Sequence, residues 1–143
     1  MTAPATPIRV FLDANVLFAA SINPSGGSAK LWTLPGIRLV TNEYAAKEAW
    51  MNLASPRTPD GRTRLIKLLD EVEIQSWNPS DPMLALPVTL PDEDDVPILA
   101  GAIGSGCQYL LTLDSDCFGA FFGRSVAGVA ILKPGRFLHL FNV

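Results

Sequence analysis

The sequence predicts an α/β fold, a mostly parallel central sheet of about five strands with helices packed against it. Strand-like apolar runs alternate with helix-like runs along the whole chain. The first run, PIRVFLD, is nearly continuous in apolar residues, as a strand covered on both faces must be. The length of 143 residues, with no internal repeat and no linker, predicts one domain over residues 1–143. A hydrophobic share of 48% against 17% charged excludes a disordered chain.

The elements follow in order. PIRVFLD is the first strand, and ANVLFAAS is a helix running into the loop INPSGG. SAKLWTL is a short helix with Ser28 as its cap, stopped at Pro35-Gly36. IRLVT is the second strand. NEYAAKEAWMNLA is a helix opened by Asn42 and ended by Pro56. TPDGRTRLIKLLDEV is a helix starting near Asp60, and VEIQSW is the third strand. The proline-rich segment from Asn78 to Pro91 is a loop. DEDDVPILAGAIGSG is a helix whose first turn is acidic, where the helix dipole favours negative charge. QYLLTLD is the fourth strand, CFGAFFG a short helix and VAILK the fifth strand. PGRFLHLF closes the chain as a helix with proline near its start.

Composition removes several function classes. A net charge of −3 argues against a general nucleic-acid coat protein, which would be basic. The two cysteines, Cys107 and Cys117, have neither a disulfide-scaffold nor a zinc spacing and read as reduced, partly buried thiols. No apolar run reaches membrane length, and MTAPATP lacks the features of a secretory signal. Residues 1–7 are therefore expected to be a flexible tail on a cytoplasmic protein. The only histidine, His139, lies in FLHLF and reads as structural, which disfavours histidine-based ribonuclease and zinc hydrolase chemistry.

The candidate chemistry lies in four acids: Asp13 in RVFLDANVLF, Glu48 in EYAAKEAWMNL, Asp95 in PDEDDVPILAGAI and Asp114 in YLLTLDSDCF. Asp13 and Asp114 end the first and fourth strands; if those strands are neighbours, their carboxylates stand side by side. Asp95 joins them only if the loop before it climbs to that edge, and Glu48 only if it points inward. Each alone has an ordinary explanation, such as a helix cap, an acidic first turn or a solvated surface. Together they differ. Two unit charges about 4 Å apart repel by roughly 4 kcal/mol at an effective dielectric of 20, and a cation relieves that. Oxygen-only donors suit hard divalent ions.

These segments resemble the PIN domain family of metal-dependent ribonucleases, and most of all its toxin components of bacterial toxin–antitoxin pairs. The resemblance runs from Arg9 to about Phe141. FLDANVLFAAS resembles the family opening, a strand ending in an acid with an asparagine two residues on. VTNEYAAKEAWMNL resembles the second-acid helix, in a register that selects Glu48 over Glu43. DDVPILAGAI resembles the third-acid helix and selects Asp95, with Asp94 adjacent. LLTLDSDCF resembles the fourth motif, with Thr112 and Asp114 in place and Asp116 as an extra acid. ILKPGRFLHLF resembles the closing strand and helix.

The resemblance implies a three-layer α/β/α sandwich and phosphodiester hydrolysis with Mg²⁺ or Mn²⁺. It implies metal binding, directly or through water, by Asp13, Asp95 and Asp114, with Asp116 as a further ligand, and a role for Glu48 in ligating the metal or orienting the nucleophilic water. Asn15 and Thr112 would support the carboxylates. It also implies an RNA substrate, an antitoxin partner and a homodimer. Arg57, Arg62, Arg64 and Lys67 in PRTPDGRTRLIK are candidates for RNA phosphate contacts, or else a solvated helix face. Trp32, Trp50 and Trp77 belong either to an interface or to the core. A dehalogenase-like phosphatase also opens with a strand ending in aspartate, but Asn15 stands where its second aspartate would fall. A PIN-like binding module without catalysis is the alternative that sequence alone leaves open.

Overall fold

The computed structural model describes residues 6–78 and 86–143. The expected tail lies mostly outside these residues, and the loop expected from Asn78 to Pro91 lies partly outside them. The described part of that loop forms neither helix nor strand.

Strand β1 (Ile8–Leu12) lies inside the sheet, with Val10, Phe11 and Leu12 fully buried. It pairs in parallel with β2 (Ile37–Asn42) on one side and β4 (Tyr109–Leu111) on the other. Beyond β2 lies β3 (Glu73–Gln75), and beyond β4 lies β6 (Val129–Leu132), both parallel. Strand β5 (Ser125–Val126) adds an antiparallel edge, giving the order β3-β2-β1-β4-β6-β5. The winding direction reverses at β1, so the crevice of this α/β fold opens beyond the carboxyl ends of β1 and β4.

Helices complete the α/β sandwich. Helix α1 (Ala14–Ile22) packs against α3 (Glu43–Asn52) and α4 (Gly61–Leu69). The short α2 (Gly27–Lys30) meets α7 (Pro134–Leu140). Helix α5 (Val96–Gly104) packs on β1, β2 and β4 through an apolar surface that includes Ile98, Leu99 and Ala102. A 3-10 turn (Glu93–Asp95) leads into it. Helix α6 (Ser115–Phe118) follows β4 directly.

Three details differ from the sequence reading. The helix at SAKLWTL starts at Gly27, after an N-cap at Gly26, so Ser28 lies inside it rather than capping it. The cause is a turn upstream, where Asn23 accepts hydrogen bonds from Ser25 N at 3.3 Å and Gly26 N at 3.0 Å. Strand β4 ends at Leu111, so Asp114 is the N-cap of α6 rather than the last strand residue. His139, read from the sequence as structural, is exposed on α7.

A carboxylate cleft at the carboxyl edge of the sheet

Asp13 follows β1 immediately and caps α1, its Oδ1 accepting from Ala14 N at 2.6 Å. It is 3% exposed. Thr112, one strand over at the end of β4, donates its hydroxyl to Asp13 Oδ2 at 2.7 Å. The same hydroxyl oxygen accepts from Asp114 N at 3.1 Å, so one threonine ties the first and fourth acids together. Asn15 accepts from Leu113 N at 3.0 Å and directs its amide towards Asp13 Oδ2 and Thr112 Oγ1 at 3.4 and 3.5 Å. Asn15 and Thr112 thus both direct polar groups at the Asp13 carboxylate.

Asp114 caps α6 by accepting from Cys117 N at 3.0 Å. Asp95, half-buried, comes from the 3-10 turn before α5. Ligand atoms of Asp95, Asp114 and Cys117 all lie within 4.8 Å of one another. Glu48 projects from the middle of α3, one residue from the buried Ala49. Asp13, Glu48, Asp95 and Asp114 line one cleft of about 250 Å³, together with Ala14, Asn15, Phe18 and Asn52.

Other candidates do not reach it. Asp116 lies exposed in the first turn of α6, outside the lining; its neighbour Cys117 is the side chain that approaches Asp95 and Asp114. Glu43 accepts from Trp77 N at 2.8 Å and lines a neighbouring groove instead. Asp94 is exposed beside the cleft. Arg62 stacks on the Trp50 ring at 4.3 Å and donates to Trp50 O. Arg64 donates to Ser21 O and, with Lys67, lines a separate pocket on α4. Arg57 is exposed in the loop before α4. Within the basic stretch, Arg62 and Arg64 are thus engaged by neighbouring groups, while Arg57 and Lys67 are exposed. Trp32 packs against the core and donates to Leu68 O at 3.0 Å, whereas Trp50 is an exposed residue.

Sequence reasoning missed Cys117, Asn52 and Phe18. Asn52 had a signal, because it stands four residues after Glu48 on the same helix face. Phe18 stands three residues after Asn15 in α1. Helix α6, with four residues, has no periodicity from which the inward position of Cys117 could be read.

The electrostatics record an unrelieved concentration of negative charge. Burial pushes the Asp13 carboxyl up to about 7, against the Thr112 and Ala14 hydrogen bonds that favour its charged form. The charges of Asp95 and Glu48 push the same way. Glu48 is raised first by partial burial of its carboxyl and then by Asp95, Asp94, Asp92 and Asp114. Asp95 is raised by burial, and the charge of Asp114 adds to it. Burial, then a hydrogen bond to Asp95, pushes the Cys117 thiol up to about 12. A cluster of carboxylates in which Asp13, Glu48 and Asp95 are raised above their ordinary range fits a hard divalent cation, which would supply the missing positive charge.

The fold and site together define an α/β protein with a mostly parallel sheet and a carboxylate cleft at its topological switch. The chain belongs to the PIN domain family, whose profile matches residues 9–116. No curated protein sequence matches it. Solved structures share the fold. VapBC2 from Rickettsia felis, bound to a DNA fragment from its promoter, aligns with a TM-score of 0.65 at 13% identity, covering 88% of this chain and 98% of that one. Mycobacterium tuberculosis VapC20, a sarcin-ricin-loop-cleaving toxin, aligns at 0.59 and 16%, covering 82% and 98%. VapBC-1 from nontypeable Haemophilus influenzae aligns at 0.59 and 15%, covering 90% and 99%. Among the described residues, no helix is long and apolar enough to cross a membrane.

Proposed function

We propose that this protein is a metal-dependent endoribonuclease, hydrolysing RNA phosphodiester bonds, and that it serves as the toxin of a toxin–antitoxin pair. The observation that carries the reading is the convergence of Asp13, Glu48, Asp95 and Asp114 on one cleft from four separate elements. Membership of the PIN domain family and the likeness in fold to VapC proteins support it.

Asp13, Asp95 and Asp114 would hold Mg²⁺ or Mn²⁺. When bound, the cation supplies charge stabilisation at the phosphate oxygens and lowers the pKa of coordinated water. The chain's own residues do the rest. Thr112 and Asn15 fix the Asp13 carboxylate, and Thr112 also fixes the backbone at Asp114. Glu48, raised above its ordinary range at the open side of the cleft, is suited to orient water and accept its proton. Phe18 gives the cleft an apolar wall.

The antitoxin belongs to the same reading. A groove of about 510 Å³ lined by Glu43, Tyr44, Lys47, Met51 and Trp77 adjoins the cleft, sharing Glu48 and Asn52 with it. A partner lying there would carry a basic side chain to the carboxylates. The homodimer is part of this proposal too, and sedimentation of the purified chain tests it.

The test is RNA cleavage by wild type and Asp13→Asn with Mg²⁺, Mn²⁺ or EDTA. Cleavage should need the cation and fall at least a hundredfold in the variant, the scale of losing a preorganised electrostatic group. Cleavage that survives Asp13→Asn would reject the reading in favour of a contaminating nuclease. Mn²⁺ binding with no cleavage of any RNA offered would favour the binding module.

A further inference from the structure

The carboxyl edge of the sheet carries a second feature beside the acid cleft. Phe122, Gly123, Leu132, Lys133 and Arg136 line a mostly apolar pocket of about 320 Å³. Leu132 ends β6 opposite Leu111, and Thr112 N donates to Leu132 O at 3.1 Å. Asp13, Thr112 and Lys133 therefore form a row across the ends of β1, β4 and β6. With neighbouring strands about 4.8 Å apart, the backbone of Lys133 stands roughly 10 Å from that of Asp13. Phe122 reaches the same edge from the other side, because Gly123 N donates to Ile131 O at 2.9 Å.

The charges there are of one sign. Lys133 and Arg136 are exposed, and neither meets a carboxylate within ion-pair distance among the described residues, whose ion pairs join Arg9 and Arg38 to Glu73. The Lys133 ammonium stands 5.5 Å from the centroid of Phe122, near the outer limit of a cation–π contact, which leaves it available to an anion. No acidic residue lines the pocket.

We propose that this pocket is a flanking-nucleotide subsite. Lys133 and Arg136 would bind the phosphate next to the one being cut, and Phe122 with Leu132 would take the adjoining base. The chemistry matches a single-stranded nucleic acid: cations for the backbone and an apolar aromatic floor for the base. This also answers the problem of an acidic protein acting on a polyanion, since it places two unpaired cations on the side of the acid cleft away from α3. The subsite rests on the nuclease reading for the identity of its ligand.

The experiment is fluorescence anisotropy of a fluorescein-labelled, single-stranded oligoribonucleotide of mixed sequence, with the full chain carrying Asp13→Asn to prevent cutting. That protein is compared with the same protein carrying Lys133→Ala and Arg136→Ala, and separately Phe122→Ala, in Mg²⁺ between about 50 and 200 mM salt. The double substitution should weaken binding about tenfold and flatten the dependence of log affinity on log salt by about 1. Phe122→Ala should weaken binding about tenfold with the salt slope kept. Thermal midpoints confirm that each variant is folded; Lys133 and Arg136, being exposed, should leave them unchanged. Unchanged affinity and slope in the double variant would overturn the subsite, as would no binding by the parent chain at the lowest salt. RNA cut by wild type but bound equally by the double variant sinks the subsite alone. RNA bound with the expected slope but never cut sinks the nuclease reading and leaves the pocket as an RNA-binding site with no role in cleavage.

Discussion

Asp13 shows how one residue carries both the fold and the proposed chemistry. It follows β1 and caps α1, yet burial, which disfavours its charge, pushes its carboxyl up to about 7. The unfolded chain loses this proton near 3.8 and the folded chain near 7. Between those values the folded state binds more protons, so stability falls as pH rises and levels off above about 7. Asp13→Asn removes that titration. The neutral side chain gives up one acceptor towards Thr112 or Ala14, costing about 1 kcal/mol at every pH. The stability of Asp13→Asn relative to wild type, measured by urea unfolding without metal, should therefore climb by a few kcal/mol between pH 4 and 7. A flat difference across that window would show that Asp13 is charged in the folded protein throughout. The four acids were legible in the sequence because each sits at a strand end, a helix start or a definable helix register. Cys117 was not, and Asp116 drew attention because an aspartate looks like a ligand while a buried thiol does not.

At the scale of elements, the cleft depends on how α3 and α5 are locked to the sheet. Asn42, 1% exposed at the end of β2, accepts from Ala45 N at 2.9 Å and so caps α3. Its amide donates to Pro97 O at 3.1 Å, in the first turn of α5. One side chain thus sets the helix bearing Glu48 and the helix that follows Asp95. Helix α5 can come this close because Gly101 has no Cβ; an added methyl would stand 2.6 Å from Asn42 Nδ2 and 2.9 Å from Phe11 Cζ. Gly101→Ala should therefore destabilise by about 1–3 kcal/mol despite the better helix propensity of alanine. Asn42→Ala should cost about 1–3 kcal/mol through the lost cap and the orphaned Pro97 carbonyl. Chemical denaturation reads both, and a Gly101→Ala protein as stable as wild type would mean that α5 shifts freely. Sequence made Asn42 recognisable as a cap, since asparagine before a helix is a local signal. Its bond to Pro97, fifty-five residues away, is tertiary and leaves no local trace. The two-residue β5 was invisible for a related reason: it exists only by pairing with β6 across a tight turn.

The whole molecule gathers negative charge at one edge of its sheet, which should make the metal-free protein less stable than its core allows. The alternating strand and helix runs were enough to read the parallel sheet, but not the adjacency of β1 and β4, which a crossover decides. That adjacency brings Thr112 to Asp13, while Asp114 and Asp95 stand with oxygens within 4.8 Å. At such a separation, two full charges repel by about 3 kcal/mol at an effective dielectric of 20, less where water screens them. Asp114→Asn is the cleanest relief, because asparagine caps a helix as well as aspartate and can still accept from Cys117 N. The variant should melt higher than wild type without metal. Mn²⁺ at a hundred times its dissociation constant should stabilise wild type by about 2.7 kcal/mol, a shift of several degrees in a domain of this size. The variant should gain less than half of that shift, since one of the charges that holds the cation is gone. Asp116→Asn, two residues on and exposed, should keep the wild-type response and so separates a cation held in the cleft from one drawn by net charge. The Mn²⁺ shift should also grow as pH rises towards 7, because Asp13 must lose its proton before it can bind the ion. Equal Mn²⁺ shifts in wild type and both variants would mean that the acids do not act as one site, and the proposed chemistry would lose its physical basis.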